Sequence, residues 1–405
     1  MFLEKTYRIL AWVVLCILQY SCTEPFPIVT KGFETVLVVQ ATLTDENIQH
    51  KVLLSRSYNL EGDGPNFESN AKVMIKDDAQ YVYDFPETDP GTYVSSQAFA
   101  AQPGHSYQLF IETADGRSYS SDSEPLPQQV PIDRIYTEIE TNVDQVVGAG
   151  FFVDNHDASG QSKYFRYTYE ETYEIIAPYW VREDIYIVSD QFPYQVDVKL
   201  KTQEEHYCYK TNLSNNIVLA NTSDYAENRI SRFQVRFIAK DDYMLRNRYS
   251  ILVHQYTQSL EAHNYLKTLK EFSGSENPFS ENQPGFIEGN ITSDHDTNEK
   301  VVGFFEVSSV SSKRIFVKFR DIFPTGNFPD FPYGCQSNAI SLYGRVPQGP
   351  SPLIDAIESG QYKMYTPAPT PPDPPTVYIM VGRPCGDCTF MGSNKKPDFW
   401  VDEKI

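Results

Sequence analysis

The chain has 405 residues, with 54 acidic against 34 basic side chains and a formal charge of −20, and it is rich in Tyr (28), Phe (25) and Pro (27) and poor in Met (6). A negative field of this size repels phosphate backbones and argues against nucleic acid as a partner. The length suffices for two or three domains with cores of their own, and the aromatics with β-branched runs favour sheets over helical bundles.

Lys5 and Arg8 against Glu4 give a weakly positive start, and Ile9 to Leu18 is an uncharged, almost wholly apolar run of ten residues. That suits the core of an export signal and is too short for a bilayer, which takes about 20 residues. Small Ser21 stands directly before Cys22, as a lipoprotein signal peptidase requires, although Gln19 occupies the position where Leu is usual and Leu18 sits one place early. Residues 1–21 therefore read as a lipoprotein signal peptide and Cys22 as the acylated start of the mature chain; the alternative is an ordinary secretory signal. Acyl chains, at about 0.8 kcal/mol per buried methylene, would hold the protein on a membrane, and lipid would be its only attachment because no second run of about 18 apolar residues follows. Residues 22–32 form a polar, Pro-containing tether.

From Thr35 the pattern becomes one of short strands. Thr35–Leu43 and His50–Arg56 flank a turn at Thr44–Asn47, and Ala71–Ile75, Tyr81–Phe85 and Thr92–Ser95 follow, separated by Asp77-Asp78 and Asp89-Pro90-Gly91. Residues 102–111 turn into a strand, and Ala114-Asp115-Gly116 makes a hairpin to Arg117–Ser120. About seven strands at this spacing predict an immunoglobulin or fibronectin type III-like β-sandwich over residues 33–125, with Tyr107 either where such sandwiches place a corner tyrosine or in ordinary core packing. The Pro-rich stretch Ser123–Pro131 sets the boundary to a second, larger antiparallel β-rich domain over residues 126–405.

In that second part Lys163–Ile175 alternates between Tyr164, Arg166, Thr168, Glu170 and Thr172 on one face and Phe165, Tyr167, Tyr169, Glu171 and Tyr173 on the other, which predicts a long strand. Further strands are predicted at 132–139, 146–153, 185–188, 205–209, 217–220, 229–238 and 249–256. One helix interrupts them over about 259–272: Ser259 caps it, Glu261 suits its N-terminus, Ala262, Tyr265, Leu266, Leu269 and Phe272 make one apolar stripe, and Gly274 ends it. Residues 303–310 and 314–319 read as two separate strands. Tyr365–Pro375, with six prolines in eleven residues, reads as extended, and the strand Val377–Val381 leads into a Cys385–Trp400 tail.

Of six cysteines, Cys16 leaves with the signal and Cys22 takes the lipid, so Cys208, Cys335, Cys385 and Cys388 remain. An even number in an oxidising compartment predicts two disulfides among three possible pairings. Cys385-Gly-Asp-Cys388 has the CxxC form used in redox and metal sites, but no helix pattern follows it and Cys208 and Cys335 stand alone, so structural bridges are expected and no metal or other cofactor. Asp294, Asp296 and Asn298 alternate like calcium ligands without completing an EF-hand loop, and a polar turn accounts for them equally. The seven histidines show no HExxH spacing, and no GxSxG, Walker A or Rossmann fingerprint occurs, so no catalytic residue is assigned. Tyr167, Tyr169, Tyr179 and Trp180, with Tyr333 elsewhere, are candidates for a stacking surface for a sugar or peptide, against the plainer role of filling the core between sheets.

Several stretches together resemble the domain-of-unknown-function family 4249: Glu34–Glu46 followed by His50–Ser57, the helix with Asn277-Pro-Phe and Gly289-Asn-Ile291, Val302–Ser308, and the ending Cys385–Cys388 with Asn394–Trp400. Members of that family are predicted lipoproteins of the Bacteroidota. The resemblance implies an outer-membrane lipoprotein, often encoded beside TonB-dependent receptors, and brings no catalytic residue. The expected function is a non-enzymatic, lipid-anchored accessory to a TonB-dependent transporter that captures ligand or covers its mouth. The alternatives are a structural or assembly component of the envelope with no small ligand and an envelope hydrolase. In that phylum an acidic run after the lipidated cysteine directs export to the cell surface; here only Glu24 follows, so the side of the membrane stays open, with the surface favoured.

Overall fold

The computed structural model describes residues 35–58, 64, 66–225, 227–273, 286–367 and 376–401. The signal at 1–21, the lipidation site Cys22, the tether 22–32, Gly274 and residues 368–375 of the proline-dense segment Tyr365–Pro375 lie outside the described residues. Among the described residues no helix is long and apolar enough to cross a membrane.

The first sandwich begins with β1 (Leu37–Thr44), β2 (Lys51–Arg56), β3 (Asn66–Phe67), β4 (Lys72–Asp77), β5 (Val82–Phe85), β6 (Glu87–Asp89), β7 (Thr92–Val94), β8 (Ser106–Glu112), β9 (Ser118–Ser121) and β10 (Glu124–Pro125). Alternation decides which side chains go inward: Leu37, Val39, Ala41 and Leu43 of β1 meet Val73, Ile75, Leu109 and Ile111 of the opposing sheet. Tyr107 is the expected corner: its ring is buried in this core and its hydroxyl accepts the Gln102 N–H at 2.7 Å.

The central sandwich follows with β11 (Ile132–Thr141), β12 (Val147–His156), β13 (Tyr164–Ile176), β14 (Glu183–Ser189), β15 (Gln195–Leu200), β16 (Tyr207–Leu213), β17 (Val218–Asn221), β18 (Arg229–Ala239) and β19 (Arg248–Gln258). The sheet β11-β12-β18 covers the sheet that contains β16, β13 and β19. Phe165, Tyr167, Tyr169 and Tyr173 of β13 point into the core between them. Glu171 shares their face, and it is matched there by Arg236 of β18, which donates to it twice at 3.0 and 3.2 Å while the Tyr249 hydroxyl donates at 2.8 Å. Burial, with Glu171 beside it, pushes the Tyr249 hydroxyl well above its ordinary pKa, so it stays a donor.

After helix α1 (Leu260–Ser273) the chain returns to the first sandwich. Strand β20 (Ile291–Ser293) joins β9, and β21 (Val301–Lys318) runs parallel to β1 over 301–308, then antiparallel to β19 over 309–318. The sandwich expected to close within 33–125 therefore draws its last strands from residues 291–308, and Asn290 fixes the junction by donating to the buried Glu124 carboxylate and the Phe305 carbonyl, both at 3.0 Å. The two strands expected at 303–310 and 314–319 are one: Ser311 and Ser312, polar enough to read as a turn, pair with Gln255 and His254 of β19.

A third lobe is assembled from distant pieces: the β14–β15 hairpin, β22 (Ser337–Ser341), α3 (Pro352–Glu358), β23 (Tyr362–Pro367) and β24 (Val377–Gly382), the last three strands forming one sheet, with the single turn α2 (Phe319–Ile322) leading in from β21. Ile185, Leu342, Leu353, Met364, Tyr378 and Met380 make its core. A further single turn, α4 (Arg383–Gly386), opens the tail, where the sequence showed no helical pattern.

Candidate functional site

The alternation that buries one face of β1 turns Val38, Gln40 and Thr42 outward, and the parallel register with β21 sets Val302, Phe304 and Glu306 beside them. Helix α1 lies over this outer face. Ser259 accepts the Ala262 N–H at 3.2 Å to start it, and its apolar stripe turns Ala262, Tyr265, Leu266 and Leu269 towards the strands, with the Tyr265 ring tilted against that of Phe304 at 5.4 Å. His263, buried at the base of the helix, packs 5.1 Å from the Tyr164 ring. Burial, with Lys267 nearby, holds its pKa below the usual value, so the helix seats on a neutral imidazole.

Between helix and sheet lies a groove of about 420 Å³, closed on its other side by the Ser214–Ile217 loop. Its walls are mainly apolar and its floor is polar. Arg166 of β13 donates to Glu306 at 3.1 Å and stacks 3.9 Å over the Tyr256 ring. The other oxygen of Glu306 accepts from Gln258 at 2.8 Å and from the Ser308 hydroxyl at 2.6 Å. The charges of Arg166 and Glu306 thus neutralise each other, while two buried atoms, Arg166 Nε and Gln258 Oε1, find no hydrogen-bond partner among the described residues. A small-molecule site has this form, an apolar cleft of ~300–1,000 Å³ with a few fixed polar groups.

The five aromatic candidates are not brought together. Tyr167 and Tyr169 are core residues and form no stacking surface: they share the inward face of β13, and the Tyr167 hydroxyl is consumed by Gln255 at 3.0 Å and Asn155 at 3.3 Å. Tyr179 and Trp180 are half-buried, Tyr179 edge-on to Tyr365 at 5.1 Å and Trp180 stacked on His206 at 4.6 Å. Tyr333 is exposed and meets Phe390 edge-on at 5.8 Å. The acidic turn is spent internally: Asp294 accepts from Ser120 at 2.6 Å, and Asp296 accepts the Asn298 N–H at 2.9 Å.

The four cysteines pair as Cys208–Cys388 and Cys335–Cys385, so the two sulfurs of the CxxC stretch bond to different partners. Arg166, Gln258 and Glu306 carry no motif. Their signals in the sequence are faint: a polar row on β13, and a lone Glu inside the apolar run 301–307.

Fold and groove define the class, a disulfide-bonded, mainly antiparallel β protein whose two sandwiches are threaded by one long strand and followed by a smaller third lobe. The chain belongs to the family described as domain of unknown function (DUF4249), whose family model matches residues 23–314. The match takes in the first sandwich and every segment that lines the groove, and it ends within β21, ahead of the tail residues 385–400. No curated protein matches the chain.

Proposed function

We propose that this protein is an exported lipoprotein, anchored in the outer membrane through Cys22, that captures a small ligand in the groove under α1 and serves as a non-enzymatic accessory to a TonB-dependent transporter. The observation that carries the binding role is the groove floor, where Arg166 and Glu306 are fixed by each other beneath apolar walls, with the buried Gln258 holding Glu306 from behind. A mutually neutralised pair orients polar groups without a net charge, which suits a compact, mostly apolar ligand with one or two hydrogen-bonding groups. The export signal and Cys22 carry the membrane part of the reading.

Two variants of the full chain test it. Cys22→Ala is expected to move the protein from the outer-membrane fraction to the soluble fraction. Leu266→Trp, which fills the groove, is expected to abolish a small-molecule mass retained by the protein in native mass spectrometry while crosslinking to a TonB-dependent receptor in intact cells persists. Absence of both a retained ligand and a receptor crosslink sinks the proposal and leaves a structural envelope component; turnover of a retained molecule would point to a hydrolase instead.

A further inference from the structure

Strand β5 ends its sheet, whose order is β20-β9-β8-β4-β5, so one edge of its backbone has no partner strand. The register says which groups lie on that edge. The Asp77 N–H donates to the Tyr81 carbonyl at 3.1 Å, so the hydrogen-bonded pairs between β4 and β5 fall there and, two residues on each time, at Ile75–Tyr83 and Val73–Phe85. Val82 and Asp84 alternate with these and turn their peptide groups outward. The Asp84 carbonyl accepts the Ser96 N–H at 2.9 Å, whereas the Val82 N–H, the Val82 carbonyl and the Asp84 N–H find no backbone partner among the described residues. Beyond Ser96 the chain stands off from β5, and Phe99 returns to stack on Tyr83 at 3.9 Å. The gap is a cleft of about 210 Å³, lined by Tyr81–Asp84 and Ser95–Phe99. That is less than the ~300–1,000 Å³ of a small-molecule site, and it suits a single large side chain. Tyr81, 61% exposed, stands edge-on to Tyr83 at 4.8 Å on its rim, and Val82 beside it is 42% exposed. Natural proteins shield edges of this kind, because open backbone groups flanked by aromatic and β-branched side chains are a template for another strand.

We propose that β5 is a docking edge for an extended segment of a partner protein, which adds to the sheet as a further strand, exchanges hydrogen bonds with Val82 and sets an aromatic side chain in the cleft beside Tyr81 and Tyr83. Side chains of an added strand alternate, so the residue that enters the cleft is flanked by two whose peptide groups face Val82 and Asp84. Charge selects the occupant. Asp84 is exposed on the edge, and Lys76, opposite Val82 on β4, leans over the Phe110 ring of β8 at 4.6 Å. Two copies of a chain of formal charge −20 would bring like charges together along this edge, whereas a segment with basic flanks complements it. The edge shares no residue with the groove under α1 and does not depend on what the groove holds.

The probe is the peptide acetyl-Lys-Thr-Trp-Thr-Lys-amide, titrated into the full chain by calorimetry. Saturable binding is expected. N-methylation of both threonine amides, which face β5 when the tryptophan enters the cleft, is expected to weaken it by about tenfold or more. Val82→Pro is expected to weaken it by a similar factor with an unfolding midpoint close to wild type, since the N–H it removes faces outward and proline is tolerated at such an edge position. Should Val82→Pro fail to fold, Ala98→Trp, which fills the cleft from its exposed wall, decides by the same criterion. No binding up to about 1 mM peptide, or equal affinity for the methylated peptide, overturns the proposal. Self-association of the free protein in sedimentation that Val82→Pro abolishes overturns it as well, and assigns the edge to a second copy of the chain.

Discussion

Asp387 lies between the two paired cysteines of the tail and is only 2% exposed. Burial alone would raise its pKa, but the hydroxyl and N–H of Thr389, at 2.6 and 2.9 Å, together with Lys363 and with Arg383 at 3.1 Å, outweigh burial and hold the carboxyl below its usual range. The sign follows. A carboxylate with a lower pKa in the folded chain than in the unfolded one, where it is about 3.9, contributes stability that is fully present above the unfolded value and is lost as pH falls through the folded one. Asp387→Asn is expected to lower stability at pH 7 by about 1–3 kcal/mol, the cost of losing charge-assisted bonds in a buried site. The gap between wild type and variant should then shrink steadily from about pH 5 downward. Urea midpoints across that range measure it, and a gap that stays constant into strong acid would show that the carboxylate's charge is not its source.

Among the elements, β21 does the most to join the molecule, and Gly303 is where it is tightest. At φ +146° an added Cβ would come within 2.2 Å of the Val39 carbonyl oxygen, which belongs to the backbone of the adjacent parallel strand and has nowhere to go. Gly303→Ala is therefore expected to cost on the order of 3 kcal/mol, from backbone strain and overpacking together. Because the strand continues into the central sandwich, the loss should appear as a lowered global midpoint rather than local fraying, and a variant with an unchanged melting curve would refute the close approach. Most single elements were legible in the sequence. The alternation of 163–175 marks β13, Ser259 and the apolar stripe mark α1, and Asp115-Gly116 marks the β8–β9 hairpin, because each is written in contiguous residues. What was not legible is assembled from distant ones: β21 hides its continuity behind Ser311 and Ser312, and the groove takes its parts from residues 38–42, 166–168, 214–217, 262–269 and 302–306. The inward face of β13 holds aromatic side chains that a strand facing a ligand would also carry, so the alternation alone could not say whether Tyr167 and Tyr169 met a core or a partner.

On the scale of the whole molecule, the tail closes the longest loop in the covalent structure. Cys208–Cys388 spans 180 residues and ties the tail to β16, where Tyr209 and Ser393 exchange backbone hydrogen bonds at 2.8 and 2.9 Å, while Cys335–Cys385 spans only 50. Trp400 seats the end of the tail on Tyr209 at 5.1 Å and on Phe316 at 5.5 Å. If the bridges act by restricting the unfolded chain, each contributes several kcal/mol, and the longer loop contributes about 1 kcal/mol more, since the entropy grows with the logarithm of loop length. Replacing Cys208 and Cys388 with Ala is thus expected to lower the urea-unfolding free energy further than replacing Cys335 and Cys385. Packing adds to the same ordering, because Cys208 and Cys388 are wholly buried in the central core and their truncation leaves a gap there. The first sandwich has its own core and no cysteine in it, so limited proteolysis of the reduced protein should cut the tail and third lobe while residues 35–125 stay protected. Earlier cleavage within 35–125 would show instead that the two sandwiches, joined through β21, unfold as one unit, and equal losses from the two double replacements would show that loop length does not set the contribution of either bridge.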